Sequence, residues 1–243
     1  MASRISILMY HQVGDFSPME GHRSTYCHHR RFASQMTFLR RAGCSVIGMD
    51  EVVSCLSGER PIPPRAVALT FDDGYENFYE YAYPELARQG FPAMVYLISG
   101  FVGRDSEWFA ADGRATPPLM SAERIRALRR AGIDFGSHGV SHVKLAQVDR
   151  DRMRDEVTRS RRELEELLGE EVRHFCYPYG SHDHEVVEAA RAAGYASAVT
   201  CVRAAACPGI DLLALPRKAI SYGDNLLGYF WKLAAKNRPK PAP

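Results

Sequence analysis

The sequence predicts an α/β fold in which about seven parallel strands form a barrel-like sheet. Four segments share one design: a helical pattern ends at a glycine and an apolar run follows, as in RFASQMTFLRRAG–CSVIGM. Helices that alternate with short buried strands are typical of a parallel sheet with helices outside it. No glycine-rich nucleotide loop follows the first apolar run, which favours a barrel over an open sheet.

The strands are assigned from the apolar runs, which lie near residues 5–10, 45–48, 66–71, 93–98, 133–136, 174–177 and 197–201. The helices of the repeated design end at glycines, because glycine adopts the left-handed conformation that stops a helix. These stops are Gly43, Gly90, Gly132 and Gly194. Ser121 is placed as the N-cap of the third helix, and a longer charged helix spans about Asp149 to Leu168.

Residues 1–236 are predicted to form one domain, and the polar, proline-rich tail 237–243 is predicted to be disordered. Residues 103–120 carry Trp108 and are predicted to be a long loop. The segment LLGYFWKLAAK before the tail is aromatic and basic. It is interpreted as a last helix that packs on the domain, with a helix lying on a membrane surface as the alternative.

The composition excludes several classes of protein. The chain has 243 residues and a formal net charge of +2, and its basic residues are interleaved with acids, so no nucleic-acid partner is expected. Six cysteines without a CxxC pair indicate reduced thiols of an intracellular protein. The first apolar run, Ile7 to Tyr10, is too short for a signal-peptide core or a membrane span. A cytoplasmic location is therefore predicted.

Polar residues collect where four of the strands are expected to end. His11 follows the first strand, Asp72 and Asp73 follow VALTF, His138 follows IDFGS, and PYG follows HFCY. The carboxyl ends of parallel barrel strands open on one face, so these residues are expected to converge. Singly, Asp-Asp-Gly and YPYG indicate turns, and two histidines four apart indicate a solvated face. The joint occurrence of these motifs at strand ends favours a site.

Aspartate and histidine are ligands that suit a divalent metal ion. His138 and His142 lie four apart and would face the same way on a helical turn. If one of the adjacent carboxylates ligates a cation and the other accepts a proton, their mutual repulsion is offset. His182 and His184 are interpreted as capping or surface residues.

These motifs also resemble a known family. LTFDDGY, SHGVSH and FCYPYG, in that order, look like the polysaccharide deacetylases of carbohydrate esterase family four, which carry the NodB-homology domain. The resemblance covers about residues 5–220. It implies a distorted (β/α) barrel and a metal-dependent hydrolase that removes acetyl groups from an N-acetylated sugar.

The resemblance also implies roles for individual residues. Asp72 resembles the catalytic base, and Tyr179 matches the residue whose backbone N–H helps to hold the oxyanion. The implied metal ligands are Asp73, His138 and His142. The implied ion is zinc, with cobalt or nickel as alternatives. Leu215 is expected to line the acetyl pocket.

The sequence departs from the usual family pattern at two places. No histidine follows His184, although most members have a late one that protonates the leaving amine, and YPYG replaces the motif that carries an arginine. This pattern resembles the branch that acts on poly-N-acetylglucosamine. The resemblance then implies that His11 is the general acid and that Arg217 orients the base.

Three functions remain open from the sequence. The first is an N-deacetylase of a polysaccharide, an oligosaccharide or a lipid-linked or nucleotide-linked sugar. The second is a deformylase or amidase of a small non-glycan amide, because the same chemistry opens any small amide. The third is a catalytically silent glycan-binding domain, against which the intact Asp72, Asp73, His138 and His142 argue.

Overall fold

The fold is built on one parallel sheet. The computed structural model describes residues 4–18, 23–113 and 115–239. The strands are β1 (Ser6–Tyr10), β2 (Gln12–Gly14), β3 (Tyr26–His28), β4 (Val67–Phe71), β5 (Met94–Leu97), β6 (Asp134–Ser137), β7 (His174–Cys176), β8 (Ser197–Val199) and β9 (Lys218–Ala219). Seven of them form a parallel sheet in the order β8-β7-β6-β5-β4-β1-β9, and β2 pairs with β3.

The segment that contains β9 connects the two edges of the curled sheet. Leu215 bridges Val199 of β8, and β9 pairs with β1 on the opposite edge. A curled sheet whose edges are joined in this way is a barrel. The predicted distorted (β/α) barrel of about seven parallel strands is therefore confirmed.

One member of the predicted strand set is wrong. Residues 45–48 form no strand of the sheet; Val46 makes a single bridge to Val67, and the N–H of Ile47 donates to the Val67 carbonyl. The physical reason is that this run turns at once into a helix that begins at Met49. The seventh strand is β9, whose Lys218 gave no apolar signal.

Seven helices of the described residues pack against the sheet, six of them on its outer side and the helix that begins at Met49 on the inner cluster. They are α1 (His29–Arg41), α2 (Met49–Leu56), α3 (Tyr83–Gln89), α4 (Ala122–Arg130), α5 (Arg150–Leu168), α6 (His184–Ala192) and α7 (Leu226–Ala234). A π-helical turn, Phe78–Ala82, precedes α3. Gly43, Gly90, Gly132 and Gly194 have φ values of 63°, 64°, 93° and 83°, which confirms them as left-handed helix stops. Ser121 accepts a hydrogen bond from the N–H of Arg124, as expected of an N-cap.

Strand alternation divides the core into two clusters. Outward side chains such as Leu8 and Phe71 pack against the outer helices. Inward side chains such as Ile7 and Tyr96 fill the barrel, together with Val52 from α2. The same alternation points polar side chains of the strand ends into the barrel mouth.

Gly136 of β6 makes room for an aromatic ring inside the barrel. A Cβ atom at this position would lie 2.6 Å from Tyr96 Cδ1 and 2.7 Å from the His174 carbonyl oxygen. We expect Gly136→Ala to lower the free energy of unfolding by about 1–3 kcal/mol, because backbone oxygen cannot yield as a flexible side chain does. Urea unfolding measures this. The control is Gly48→Ala, whose nearest neighbour is an Asp134 side-chain oxygen at 3.7 Å; an equal loss in both variants would contradict the steric explanation.

The cysteines, the helices and the C-terminal tail can be compared with the sequence predictions. All six cysteines are free. Within the described residues, no helix is both long enough and apolar enough to cross a membrane. Asn237, at the start of the predicted tail, accepts a hydrogen bond from Lys218 Nζ at 2.8 Å. Residues 240–243 of that tail lie outside the described residues.

Candidate active site

The polar residues that follow β4 and β6 meet at the mouth of the barrel. Asp73 Oδ1 lies 3.4 Å from Nε2 of His138 and 3.4 Å from Nε2 of His142. All three side chains are buried. The structure thus brings together the three predicted metal ligands, although Asp73 is far from the two histidines in sequence.

These three residues fit a divalent cation. Asp73 Oδ1 is buried and has no hydrogen-bond partner among the described residues, which would be costly unless a ligand satisfies it. His138 Nδ1 lies 2.7 Å from the Cys176 carbonyl; it must donate to this oxygen, so a neutral ring keeps its Nε2 lone pair towards Asp73. A carboxylate and two imidazoles are the donor set of many catalytic zinc sites.

The electrostatics of the site also favour a positive charge. Burial opposes protonation of His138, but Asp73 and Asp72 outweigh it and raise the pKa of this ring. Burial would raise the pKa of Asp73, yet the surrounding histidines hold it well below its usual range. Burial lowers the pKa of His142 to about 3, so this ring is neutral and able to act as a ligand.

The backbone of the site is strained at three of its residues. Asp73, His142 and Tyr179 have φ values of 74°, 54° and 58°, and of the described non-glycine residues only Arg65 also has a positive φ. Non-glycine residues adopt this conformation at a cost of about 1–3 kcal/mol, and such residues cluster at functional sites. His138 and His142 do not lie on a helical turn: the segment between them is a loop in which Gly139 and His142 are left-handed.

Glu156 of α5 holds this ligand loop in place. Its Oε2 accepts hydrogen bonds from the N–H groups of Val140 and Ser141 at 2.8 and 2.9 Å, and its Oε1 accepts from the Ser141 hydroxyl. The carboxylate is only 3% exposed. Sequence reasoning missed Glu156, since it is one of many charged residues on α5; its place on the inward stripe with Met153 and Val157 was the available signal.

Glu156→Ala is expected to weaken metal binding by about 10- to 100-fold, because three donors of the ligand loop lose their acceptor. We also expect it to lower the free energy of unfolding by about 1–3 kcal/mol for each donor left unsatisfied. Calorimetric metal titration and urea unfolding measure the two effects. Glu156→Gln retains an acceptor and should recover part of both, whereas the exposed Glu166→Gln on the same helix should change neither. Equal metal affinity in all three variants would contradict the role.

Arg217 lies inside the barrel and binds the other carboxylate of the pair. Its Nη1 and Nη2 donate to the two oxygens of Asp72 at 2.6 and 2.7 Å, and it also donates to the Thr200 carbonyl. Arg217 is 1% exposed. Burial would raise the pKa of Asp72, but the guanidinium outweighs it and lowers that pKa. Asp72 is therefore held ionised and oriented, as the role predicted for Arg217 requires.

His11 follows β1 and reaches the same carboxylate. Its Nε2 lies 3.9 Å from Asp72 Oδ2, and its side chain is 16% exposed. Among the described residues it is the histidine whose ring nitrogen comes within 4.0 Å of the Asp72 carboxylate. His182 Nδ1 lies 2.7 Å from the Gly180 carbonyl, and its ring stacks on Tyr177. His184 is exposed at the first turn of α6.

Aromatic rings line one side of the site. The ring of His142 lies between Trp108 and Tyr179, with centroid distances of 4.7 and 4.5 Å. Phe109 packs on Tyr179 at 6.3 Å. The sequence pattern places Trp108 in a long loop and indicates no role for it in the site. Its position after β5, on the face where the strands end, could have indicated that role. Leu215 is fully buried in the inner cluster, so its contact with an acetyl group stays a prediction.

Comparison with known proteins agrees with this geometry. Residues 59–198 match the family model for polysaccharide deacetylases. The Bacillus subtilis protein YxkH is 24% identical over 221 residues, which cover 91% of this chain and 73% of that protein. A poly-β-1,6-N-acetyl-D-glucosamine N-deacetylase of Staphylococcus epidermidis is 22% identical over 201 residues, 79% of this chain and 67% of that one.

Solved structures show the same fold. Streptococcus pyogenes deacetylase PplD, determined in complex with acetate, matches with a TM-score of 0.83 at 24% identity and covers 96% of this chain and 99% of its own. IcaB from Ammonifex degensii matches with a TM-score of 0.80 at 24% identity, over 96% of this chain and 98% of its own. Because the family model spans more than half of the sequence and includes both aspartates and both predicted ligand histidines, the chain belongs to the polysaccharide deacetylase family of hydrolases, as its motifs predict.

Proposed function

We propose that this protein is a metal-dependent N-deacetylase that releases acetate from an N-acetylated glycan and leaves a free amine. The observation that carries the proposal is that two adjacent buried carboxylates have different partners. Asp73 lies against His138 and His142, whereas Asp72 is held by Arg217 and approached by His11. Asp73 with the two histidines would hold an ion while Asp72 accepts a proton from water, and metal-dependent hydrolysis of an amide requires both roles.

Asp73, His138 and His142 would hold the ion, for which zinc is proposed and cobalt or nickel are alternatives. When bound, such an ion lowers the pKa of a coordinated water towards about 7 and polarises a carbonyl group. Apart from the ion and the water that the reaction consumes, formation of the C–O bond and breakage of the C–N bond need only proton transfers.

The chain's own residues supply those transfers. Asp72 accepts the proton of the attacking water as its oxygen bonds to the acetyl carbon. The backbone N–H of Tyr179 is proposed to help hold the carbonyl oxygen as it gains negative charge. His11 donates a proton to the sugar nitrogen as the C–N bond breaks, so the amine leaves in neutral form. The acetic acid formed loses its proton to solvent and departs as acetate, and the proton on Asp72 returns to His11.

A sugar substrate is supported by the ring-lined side of the site. Tyr179 is 40% exposed beside His142, and Trp108 and Phe109 extend the same side. Flat aromatic faces suit the apolar faces of a pyranose ring, while the polar groups of the mouth fix its orientation. The Staphylococcus epidermidis relative is named for poly-β-1,6-N-acetyl-D-glucosamine, so an N-acetylglucosamine polymer is the proposed substrate class.

The proposal is tested with protein stripped of metal by a chelator and then titrated with zinc, cobalt or nickel. We expect one ion to bind per chain and acetate release from β-1,6-linked N-acetylglucosamine oligomers to return with it. Release of formate from a small formamide at a higher kcat/KM than acetate from these oligomers would favour the deformylase alternative. Glycan binding without hydrolysis in the metal-loaded protein would indicate a silent binding domain.

A further inference from the structure

The outer side of the C-terminal helix is unusually apolar. Six large hydrophobic side chains are exposed among the described residues, and four of them lie on α7. They are Leu226 (45% exposed), Leu227 (79%), Phe230 (52%) and Trp231 (60%). The opposite side of α7 packs on the domain through Tyr229, which is fully buried. A helix that is apolar on both sides is expected to have a second apolar partner on its outer side.

Helix α1 runs beside this surface and gives it a positive charge. Ser34, Thr37 and Arg41 of α1 line a groove of about 420 Å³ together with Leu226. Arg30 lies four residues before Ser34, so helical spacing puts it on the same face. Arg30 and Arg41 are exposed and form no ion pair with any described residue. We call Arg30, Ser34, Thr37 and Arg41 of α1 with Leu226, Leu227, Phe230 and Trp231 of α7 the basic aromatic face.

The two segments that form this face contain no acidic residue. Residues 29–41 and 226–239 include seven lysines and arginines and no aspartate or glutamate, although the whole chain has a net charge of only +2. Of these cations, Lys232 is paired with Asp224 and faces inward. Lys236 and the exposed Arg238 lie just beyond the end of α7. The cations therefore surround an apolar centre with little local neutralisation.

We propose that the basic aromatic face docks the protein onto a bilayer surface that carries anionic headgroups. Helices that lie in the membrane interface combine leucine, phenylalanine and tryptophan on one side with flanking lysine and arginine. Tryptophan prefers the headgroup level, and anionic lipids attract clustered cations. The basic aromatic face contains an exposed tryptophan, a phenylalanine and two leucines, and the arginines at its edge form no ion pair with any described residue.

The positive charge of the basic aromatic face disfavours two other partners, a second copy of this chain and a deacetylated glycan. A symmetric dimer through this face would bring Arg30 and Arg41 of one copy against those of the other, because such an interface pairs a patch with itself. A deacetylated glycan, which is the product of the proposed reaction, carries ammonium groups and would also be repelled. An anionic lipid surface is the occupant whose charge matches.

The test is co-sedimentation of the full chain with vesicles of phosphatidylcholine alone or with about a third of phosphatidylglycerol. We expect binding to the anionic vesicles, which weakens as salt is raised because the Debye length shortens. Leu227→Ser/Trp231→Ser should weaken binding by about tenfold or more. Arg30→Gln and Arg41→Gln should each weaken it by about fivefold. These four residues are exposed, so the fold should tolerate the changes.

A matched control replaces an exposed apolar and an exposed basic residue elsewhere. Val202→Ser/Arg154→Gln makes the same kinds of change away from the face and should bind as the unaltered chain does. In a Trp108→Phe variant the only tryptophan left is Trp231, whose emission should shift to the blue on anionic vesicles. The proposal is overturned if the chain ignores anionic vesicles, if the control weakens binding equally, or if Trp231 emission does not change. A dimer in sedimentation equilibrium that Leu227→Ser/Trp231→Ser dissociates, without vesicle binding, would assign the face to a second copy.

Discussion

Replacing Asp72 by asparagine is expected to lower kcat by about 10²–10⁴-fold while metal binding is retained. The physical reason is that an amide cannot take the proton of the attacking water, whereas the three proposed ligands are left intact. Asp72 is held ionised and oriented, since Arg217 binds both of its oxygens and lowers its pKa. Acetate release under saturating zinc, together with calorimetric metal titration, measures the two quantities.

Asp72→Asn is also expected to lower the stability of the fold, and the experiment has to separate this loss from the loss of the base. Arg217 is 1% exposed, so removing the charge of Asp72 leaves a buried guanidinium without its counter-ion. Breaking such a buried pair typically costs about 3–5 kcal/mol of stability. Asp72→Asn/Arg217→Gln removes both charges and keeps neutral hydrogen-bonding groups. It should recover much of the free energy of unfolding but none of the turnover, which distinguishes a lost base from a misfolded chain.

Asp73→Asn is the matched variant for the adjacent carboxylate. It should lose metal affinity, because Asp73 Oδ1 is the oxygen that faces His138 and His142. If Asp72→Asn lost the metal while Asp73→Asn kept it, the roles of the two aspartates would have to be exchanged. Full turnover of Asp72→Asn under excess zinc would remove Asp72 from the reaction.

The sequence predicts most of the barrel because four of the helical patterns end at a glycine and an apolar run follows each of them. It does not show how the barrel closes. Strand β9 has two residues and pairs with β1 more than 200 positions away, so neither length nor hydrophobic pattern marks it. The run at 45–48 looked like a better strand, but the chain continues straight into α2. The role of Arg217 was implied by the family resemblance, and only the closure of the barrel explains why its side chain reaches Asp72.

The loop from His138 to His142 is a second feature whose conformation the sequence does not predict. A spacing of four between His138 and His142 is compatible with a helix, and only the folded chain shows the left-handed Gly139 and His142 instead. What holds that loop is Glu156, which comes from a helix with many other charged residues. The local sequence pattern thus predicts the candidate ligands, whereas the contacts that hold their loop come from a distant segment and are seen only in the folded chain.

His11→Ala is expected to lower turnover on an acetamido sugar by about 10²-fold or more with metal binding retained. The leaving nitrogen must gain a proton as the C–N bond breaks, since an amide anion is too basic to leave. Histidine is the side chain that most often transfers a proton in general acid–base catalysis. The side chain of His11 is 16% exposed at the barrel mouth, which gives it access to a substrate.

The contact of His11 with Asp72 gives it a competing role. At 3.9 Å from Asp72 Oδ2, the ring would also stabilise the ionised base without touching the leaving group. The two roles are separated by comparing an acetamide with an acetate ester of a good leaving group, which needs no proton to depart. A general acid should matter far less for the ester, whereas a residue that only supports Asp72 should matter equally for both. The exposed His184→Ala serves as the control, and equal losses of His11→Ala on the two substrates would assign His11 to the support of Asp72.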